Sequence, residues 1–254
     1  EGYTFMGWST KPMQSVSPQY EAEEKITVNG NVDLYAVVFN RTTETDLTED
    51  QLPQVDIYKY KQVIFVGDSR TEFMENVLTG MGESATKNVK FVCSAGKGLD
   101  WFTTTGWAQL YSIVQHDSNS ILSKKTAVIF NFGVNDLSKS ADYAEYYNWI
   151  APQLKSKGCE LYFMSVNPVN RLMLPNAGRA DRSEAAVRSF NQYMKANLSS
   201  AYTYIDMYSY LKSTGYSFAS DHYGTGTVDD GLHYTTRTYK RIFAKCMDSL
   251  RVPA

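Results

Sequence analysis

From Lys61 onward, short apolar runs alternate with segments whose apolar residues recur at helical spacing. The apolar runs predict five strands, at 61–66, 89–93, 127–132, 161–166 and 202–207. The helical spacing predicts amphipathic helices at 71–79, 101–115, 141–157, 183–198 and 235–250. Because near-continuous Val, Ile and Phe runs are typical of strands buried on both faces, we predict a three-layer α/β/α sandwich with a five-stranded parallel sheet.

The first 42 residues have a different pattern. They contain β-type runs from Tyr3 to Trp8 and from Val32 to Val38, with Asn29-Gly30 as a turn signal and no helical period. A small β-rich module is therefore predicted over residues 1–42. Residues 43–60 are rich in Thr, Asp and Glu, which predicts an exposed linker and places the large domain at 61–254.

This N-terminal module resembles the C-terminal part of a Listeria-Bacteroides repeat, a β-rich unit of bacterial surface proteins. The resemblance rests on Gly-Tyr-Thr-Phe-x-Gly-Trp at 2–8 and Val-Asp-Leu-Tyr-Ala-Val at 32–37. Val38 and Phe39 stand where the family has Trp, and the family's opening strand is missing, so the module is a truncated one. The resemblance implies an extracellular or cell-surface bacterial protein, with a signal peptide upstream of this chain. The alternative is an N-terminal hairpin that simply packs on the main domain.

Composition narrows the classes of partner. The 254 residues are 43% hydrophobic and 20% charged with a net charge of -2, as in an ordinary soluble globular protein. Lys and Arg are scattered, so no nucleic-acid partner is expected. No apolar run approaches the roughly 20 residues of a membrane span. The widely spaced cysteines predict buried free thiols, the histidines lack metal-ligand spacing, and neither a metal nor a cofactor is expected.

The polar motifs of the large domain follow predicted strands. Gly67-Asp68-Ser69, Gly96-Lys97-Gly98 and Gly133-Val134-Asn135-Asp136 follow the first, second and third strands, and Asp230-Gly231-Leu232-His233 precedes the last helix. In parallel sheets, ligands bind beyond the carboxyl ends of the strands. We therefore expect these four segments to meet at one edge of the sheet.

This set of motifs, in this order, resembles the SGNH branch of the GDSL hydrolase superfamily from about Val63 to the C-terminus. Gly67-Asp68-Ser69 matches the nucleophile block, Gly133-Val134-Asn135-Asp136 the Gly-x-Asn-Asp block, and Asp230-Gly231-Leu232-His233 the Asp-x-x-His block. Three ordered matches at the right structural positions are more specific than any one of them. The resemblance implies a flavodoxin-like SGNH fold and a serine hydrolase that acts on carboxylic esters.

Catalytic roles follow from these matches. Ser69 is the predicted nucleophile at a helix N-terminus, although on its own it could be a helix cap. His233 is the predicted base, with His222 as its competitor. Asp230 would orient the imidazole, because its three-residue spacing lets the carboxylate reach one ring nitrogen, and Asp229 is the alternative.

The predicted oxyanion hole consists of the Ser69 N–H, the Asn135 side chain and a glycine N–H. Gly98 is preferred as the glycine because it ends its segment, and Gly96 is the alternative. Both glycines could instead serve turn geometry. Asp136 is expected to be a structural partner of its loop.

Substrate contacts are predicted at Arg70 and Trp101. A charged residue beside the nucleophile favours polar substrates, and Trp101 could offer a stacking surface, although helical aromatic residues more often belong to the core. The insertion at 167–182 is a candidate specificity loop. We expect an esterase that removes short acyl groups, above all acetyl, from a small ester or an acylated polysaccharide. The alternatives are a lipase or lysophospholipase, and a non-catalytic surface binding module, and the sequence predicts no oligomeric state.

Overall fold

A parallel sheet forms the centre of the protein in the computed structural model, which describes residues 2–56, 59–117, 125–219 and 229–250. The strands are β1 Tyr3–Ser9, β2 Tyr35–Asn40, β3 Tyr60–Gly67, β4 Val89–Cys93, β5 Lys125–Asn131, β6 Cys159–Met164 and β7 Tyr202–Ile205. β1 and β2 form an antiparallel pair, and the other five form one sheet in the order β4-β3-β5-β6-β7 with every pairing parallel. The predicted five-stranded parallel sheet is confirmed.

Helices cover both faces of this sheet. They are α1 Ser69–Met81, α2 Leu99–Trp101, α3 Trp107–Asp117, α4 Ser140–Lys155, α5 Glu184–Asn197, α6 Met207–Thr214 and α7 Thr236–Ser249, and a π-helical turn over Phe102–Gly106 joins α2 to α3. Alternate side chains of β3 point to opposite faces. Val63 and Phe65 pack in one core with α1 and α7, whereas Ile64 and Val66 pack in a second core with α3, α4 and α5. This is the predicted three-layer sandwich.

The strand order places a crevice at the site of the polar motifs. The chain runs from β3 outward to β4 and then returns to β5 on the other side of β3. Where the direction of winding reverses in this way, the loops after the two strands separate and leave a crevice at their carboxyl ends. Ser69 follows β3 and Asn135 follows β5, so both lie at this crevice.

The N-terminal hairpin packs into the core of the sheet. Its Met6, Val37 and Phe39 belong to the same buried cluster as Val63 and Phe65. Lys212 of α6 also donates a hydrogen bond to the carbonyl of Met6. Packing is therefore continuous across the predicted boundary at residue 42, as in a hairpin that packs on the main domain. The repeat resemblance stays a prediction.

Segment 43–60 is exposed over much of its length, as its composition predicts, but it is held to the large domain at several points. Leu52 and Val55 are buried, and Glu44 is 5% exposed. Glu44 pairs with Arg241 at 3.0 Å and Asp46 pairs with Lys240 at 2.6 Å, so two of its acidic side chains have cationic partners on α7. A high content of Thr, Asp and Glu predicts exposure, but composition cannot show which of these side chains pair with residues elsewhere in the chain.

Helix α6 is an element that the sequence pattern missed. The predicted strand 202–207 ends at Ile205, and the Asp206 side chain then accepts a hydrogen bond from the Ser209 N–H at 3.0 Å and caps α6. An N-cap of this kind is a local signal that a helix begins.

Across the described ranges, the helices are all too short or too polar to cross a membrane.

Candidate active site

Ser69 occupies the first position of α1 because the preceding turn is unusually tight. A Cβ atom at Gly67 would lie 1.9 Å from Oγ1 of Thr71, so only glycine fits at the end of β3. The Asp68 side chain then accepts a hydrogen bond from the Arg70 N–H at 3.0 Å and caps the helix. As the first helical residue, Ser69 has an N–H that has no carbonyl partner within the helix.

A continuous hydrogen-bonded chain links Ser69, His233 and Asp230. Nε2 of His233 lies 2.9 Å from Oγ of Ser69, and Nδ1 lies 2.7 Å from Oδ2 of Asp230. Oδ1 of Asp230 accepts the N–H groups of Leu232 at 2.9 Å and His233 at 2.8 Å. Phe73 of α1 stacks on the imidazole with ring centroids 4.3 Å apart. The structure thus brings together the three side chains that the motifs predict.

Asp229, the alternative acid, contacts other groups. Its Oδ2 lies 2.7 Å from Nη2 of Arg41, and its Oδ1 accepts the Gly231 N–H at 2.8 Å. This carboxylate therefore holds the loop and the hairpin, while Asp230 holds the imidazole. His222, the alternative base, lies outside the described residues.

Burial and hydrogen bonding set the protonation states of this chain. Burial, which disfavours an imidazolium, lowers the pKa of His233, and the nearby Asp230 offsets this only in part. Burial alone would raise the pKa of Asp230, but hydrogen bonds and charge attraction from His233 outweigh it and the pKa of Asp230 is lowered. A neutral imidazole beside an ionised carboxylate is the state that a general base needs at neutral pH.

Asn135 lies between two polar partners. Its Nδ2 donates to the carbonyl of Lys97 at 2.8 Å, and its Oδ1 accepts from Nη2 of Arg182 at 2.9 Å. An amide nitrogen carries two hydrogens. One N–H of Asn135 is therefore left for a third group.

The glycine block is held against the Asn135 loop by Asp136. Oδ2 of Asp136 accepts the Leu99 N–H at 2.9 Å, and a Cβ atom at Gly98 would lie 2.4 Å from the same oxygen. The predicted structural role of Asp136 matches these contacts. The Lys97 carbonyl faces Asn135, and the two groups of a trans peptide point in opposite directions, so Gly98 turns its N–H away from that amide. Gly98 and Gly96 both stay predictions as oxyanion donors.

The two predicted substrate contacts have other partners in the structure. Arg70 is 2% exposed, and its guanidinium donates to the carbonyls of Leu232, Asn167 and Pro168 at 2.8 to 2.9 Å. These contacts make Arg70 a brace between the loops of the site and do not support contact with substrate. Trp101 is half-buried with its ring centroid 6.1 Å from that of Phe132, as expected of a core aromatic residue.

The insertion at 167–182 supplies two arginines to the site. Arg179 donates from Nη2 to Oδ2 of Asp230 at 3.1 Å, and Arg182 contacts Asn135. Both lie in the candidate specificity loop, but their spacing in the sequence does not predict these contacts. The available signal was the presence of three arginines, Arg171, Arg179 and Arg182, in the loop region that follows β6.

The cysteines and the acidic residues show no metal site in the part of the chain that the structure describes. Cys159 and Cys246 are buried, and Cys93 is half-buried. Among the described residues, no group of three or more His, Cys, Asp or Glu side chains is arranged to hold a metal ion.

A doubly wound parallel sheet with a hydrogen-bonded serine and histidine at its switch point is the architecture of a serine ester hydrolase. The family model of the GDSL-like lipase/acylhydrolases matches residues 63–246. The chain belongs to this family. The match spans the predicted nucleophile, oxyanion and base blocks, and no protein with a curated description matches the chain.

Solved structures with the same fold are distant in sequence. A Slackia heliotrinireducens protein described as an SGNH hydrolase has a TM-score of 0.53 and 14% identity over 76% of this chain and 100% of its own. A Bacteroides fragilis protein described as an acylhydrolase has a TM-score of 0.49 and 16% identity over 79% and 92%. The acetyl xylan esterase AlAXEase has a TM-score of 0.48 and 11% identity over 75% and 100%. The first of these likenesses shows the shared SGNH fold.

Proposed function

We propose that Ser69, His233 and Asp230 form the catalytic triad of an esterase that removes short acyl groups. The observation that carries the proposal is the unbroken chain from Oγ of Ser69 through the imidazole to Oδ2 of Asp230, with steps of 2.9 and 2.7 Å. Oγ attacks the ester carbonyl while Nε2 accepts its proton, and Asp230 stabilises the imidazolium that forms. His233 then returns the proton to the leaving alcohol, and water repeats the sequence on the acyl-enzyme.

Negative charge on the former carbonyl oxygen needs donors that face it in the transition state. The Ser69 N–H at the start of α1 and the second N–H of Asn135 are the two donors that the geometry supports. The helix dipole of α1 adds positive potential at the same point. A glycine N–H of the 96–98 segment is the third proposed donor.

A groove beside Asn135 supports a polar alcohol as the leaving group. It has a volume of about 430 Å³ and is bounded by the loop after β5 and by the end of the insertion. Ser138, Asp181 and Arg171 place hydroxyl, carboxylate and guanidinium groups along it. Such groups can form hydrogen bonds with the hydroxyls of a sugar, while Val134 and Leu137 give the same groove an apolar part. We therefore propose an acylated carbohydrate, acetylated above all, as the substrate. The resemblance of the N-terminal module to a bacterial surface repeat supports an extracellular place of action.

The test is hydrolysis of p-nitrophenyl esters of increasing acyl length by the wild-type protein and by Ser69→Ala. We expect turnover that falls with chain length and is lost in Ser69→Ala, together with labelling of Ser69 by a fluorophosphonate probe. Release of acetate from acetylated xylan, mannan and peptidoglycan then identifies the alcohol. A preference for long acyl chains would favour a lipase, and a folded protein that neither reacts with the probe nor hydrolyses esters would leave only a binding module.

A further inference from the structure

Arg182 holds the loop that carries Asn135 at two adjacent points. Its Nε donates to the carbonyl of Val134 at 2.6 Å, and its Nη2 donates to Oδ1 of Asn135 at 2.9 Å. Its Nη1 donates to the carbonyl of Ala180 at 2.9 Å, within its own segment. The planar fork of a guanidinium thus reaches a backbone oxygen and a side-chain oxygen of consecutive residues, a geometry that a lysine cannot reproduce.

These contacts decide which end of the Asn135 amide faces the site. A guanidinium has no acceptor, so Arg182 can pair only with the oxygen of the amide. The Lys97 carbonyl has no donor and pairs only with its nitrogen, at 2.8 Å. The two partners together exclude the flipped amide. A flipped amide would turn its oxygen toward the developing oxyanion and repel it.

The backbone next to Arg182 is held in place by the residues that begin α5. Ser183 caps α5 by accepting the Ala186 N–H at 3.0 Å. The next residue, Glu184, is buried and accepts the Val169 N–H at 3.0 Å and the Tyr208 hydroxyl at 2.7 Å. Arg182 therefore extends from a fixed helix start, which suits a group whose task is to hold another in place.

We propose that Arg182 is a positioning residue that orients Asn135 as an oxyanion donor. The inference rests on the proposed function. Arg182 borders the groove proposed for the leaving alcohol, but its guanidinium is engaged by Val134, Ala180 and Asn135. We therefore assign its contribution to the Asn135 amide and not to contact with substrate. The effect should therefore fall on turnover and disappear once that amide is removed.

A double-mutant cycle on p-nitrophenyl acetate tests this coupling. Arg182→Met keeps the length of the side chain and removes its donors, and we expect kcat to fall on the order of 10- to 100-fold with KM nearly unchanged, since misplacing a catalytic group can cost about 100-fold. Asn135→Ala should cost on the order of 100-fold or more. In the Asn135→Ala background, Arg182→Met should change kcat less than about threefold. Arg182→Lys, which can make only one of the two bonds, should lie between wild type and Arg182→Met.

Arg188→Met is the matched control, because Arg188 of α5 also donates to a backbone carbonyl, that of Ala22, at 3.1 Å but contacts no residue of the proposed triad or oxyanion hole. Its kcat should stay within about twofold of wild type, because the contacts of this half-buried side chain lie outside the proposed triad and oxyanion hole. Thermal unfolding of each variant separates misfolding from mispositioning, and Arg182→Lys serves if Arg182→Met does not fold. Additive effects in the cycle, or an Arg182→Met effect confined to KM, would overturn the inference while leaving the esterase standing. An inactive wild-type protein would overturn both.

Discussion

Arg179 donates a hydrogen bond to the same carboxylate oxygen of Asp230 that faces the imidazole of His233. The distances to Oδ2 are 3.1 Å from Nη2 of Arg179 and 2.7 Å from Nδ1 of His233. The carboxylate is thereby shared between a permanent cation and a titrating one. Arg179 also competes with the protonated form of His233, since two positive charges around one acid repel each other.

Removing Arg179 should therefore move the pH profile. Asp230, Arg70 and Arg179 are the charged groups that act on the imidazole, and the two arginines lower the pKa of His233. In Arg179→Met, one of these cations is gone and Asp230 has more negative charge to offer. The pKa of His233 should rise, and the acidic limb of the pH profile of kcat/KM should move to higher pH.

The control for that shift is Arg171→Met. Arg171 lies on the same insertion, but it pairs with Asp181 at 2.6 Å and Glu23 at 3.0 Å. Its acidic limb should coincide with that of the wild type. An acidic limb that stays in place in Arg179→Met, or moves to lower pH, would contradict the role assigned to Arg179.

Neighbouring aspartates should differ sharply in their effect on turnover. Asp230→Asn removes the charge that orients and stabilises the imidazolium, and we expect kcat to fall by roughly 1,000- to 10,000-fold. Asp229→Asn should lower kcat only a few-fold, because Asp229 pairs with Arg41 and the Gly231 N–H. Steady-state kinetics of both variants on p-nitrophenyl acetate measure the ratio. Equal losses would mean that the charge of the loop matters and not its contact with His233.

Asp68 should make the protein less stable as the pH rises. Burial raises the pKa of Asp68 to about 6 in the folded protein, from an ordinary value of 3.8. A raised pKa contributes stability below pH 4 that is lost as the pH rises through 6. Asp68→Asn keeps a capping oxygen for the Arg70 N–H but does not titrate. The melting temperature of Asp68→Asn minus that of the wild type should therefore increase from pH 4 to pH 7. A difference that does not change with pH would contradict the raised pKa of Asp68.

The hairpin should unfold together with the large domain. Phe39 is 7% exposed and packs against Gly215, where an added Cβ would lie 2.2 Å from its ring. Phe39→Ala should lower the free energy of unfolding by about 3 to 5 kcal/mol within a single transition. Val38→Ala, on the exposed face of the same strand, should cost less than about 1 kcal/mol. Two separate transitions, with only the smaller one altered, would show an independent module.

The fold could be predicted because its signals are local. The apolar run 63–66 predicts a strand buried on both faces. The Gly67-Asp68-Ser69 turn predicts where this strand ends, and neither prediction requires knowing which strands pair with it. Ser69, His233 and Asp230 were predicted from motifs that resemble those of a known family, and the three-residue spacing of Asp230 and His233 fits the hydrogen bond between them. Their meeting in space needed only the rule that parallel strands end at one edge.

The supporting contacts could not be predicted because they join residues far apart in the chain. Arg182 precedes a helix and gives no local hint that Asn135 lies 2.9 Å away. Arg70 follows the nucleophile directly, so adjacency suggested a substrate contact, but the helix turns its side chain toward the backbone of other loops. Guanidinium groups make several long-range bonds at once, and sequence spacing carries no record of them.

The ion pair between Arg41 and Asp229 connects the beginning of the chain to the residue next to the proposed catalytic acid. Trimming the protein to the span that its family defines, residues 63–246, would delete Arg41 and leave the carboxylate of Asp229 without its cation. The same cut would remove Met6, Val37 and Phe39 from the core and expose apolar surface beside the end of α6. A protein trimmed to residues 63–246 would thus be prone to aggregate, and the loop that carries Asp230 and His233 would be less firmly held.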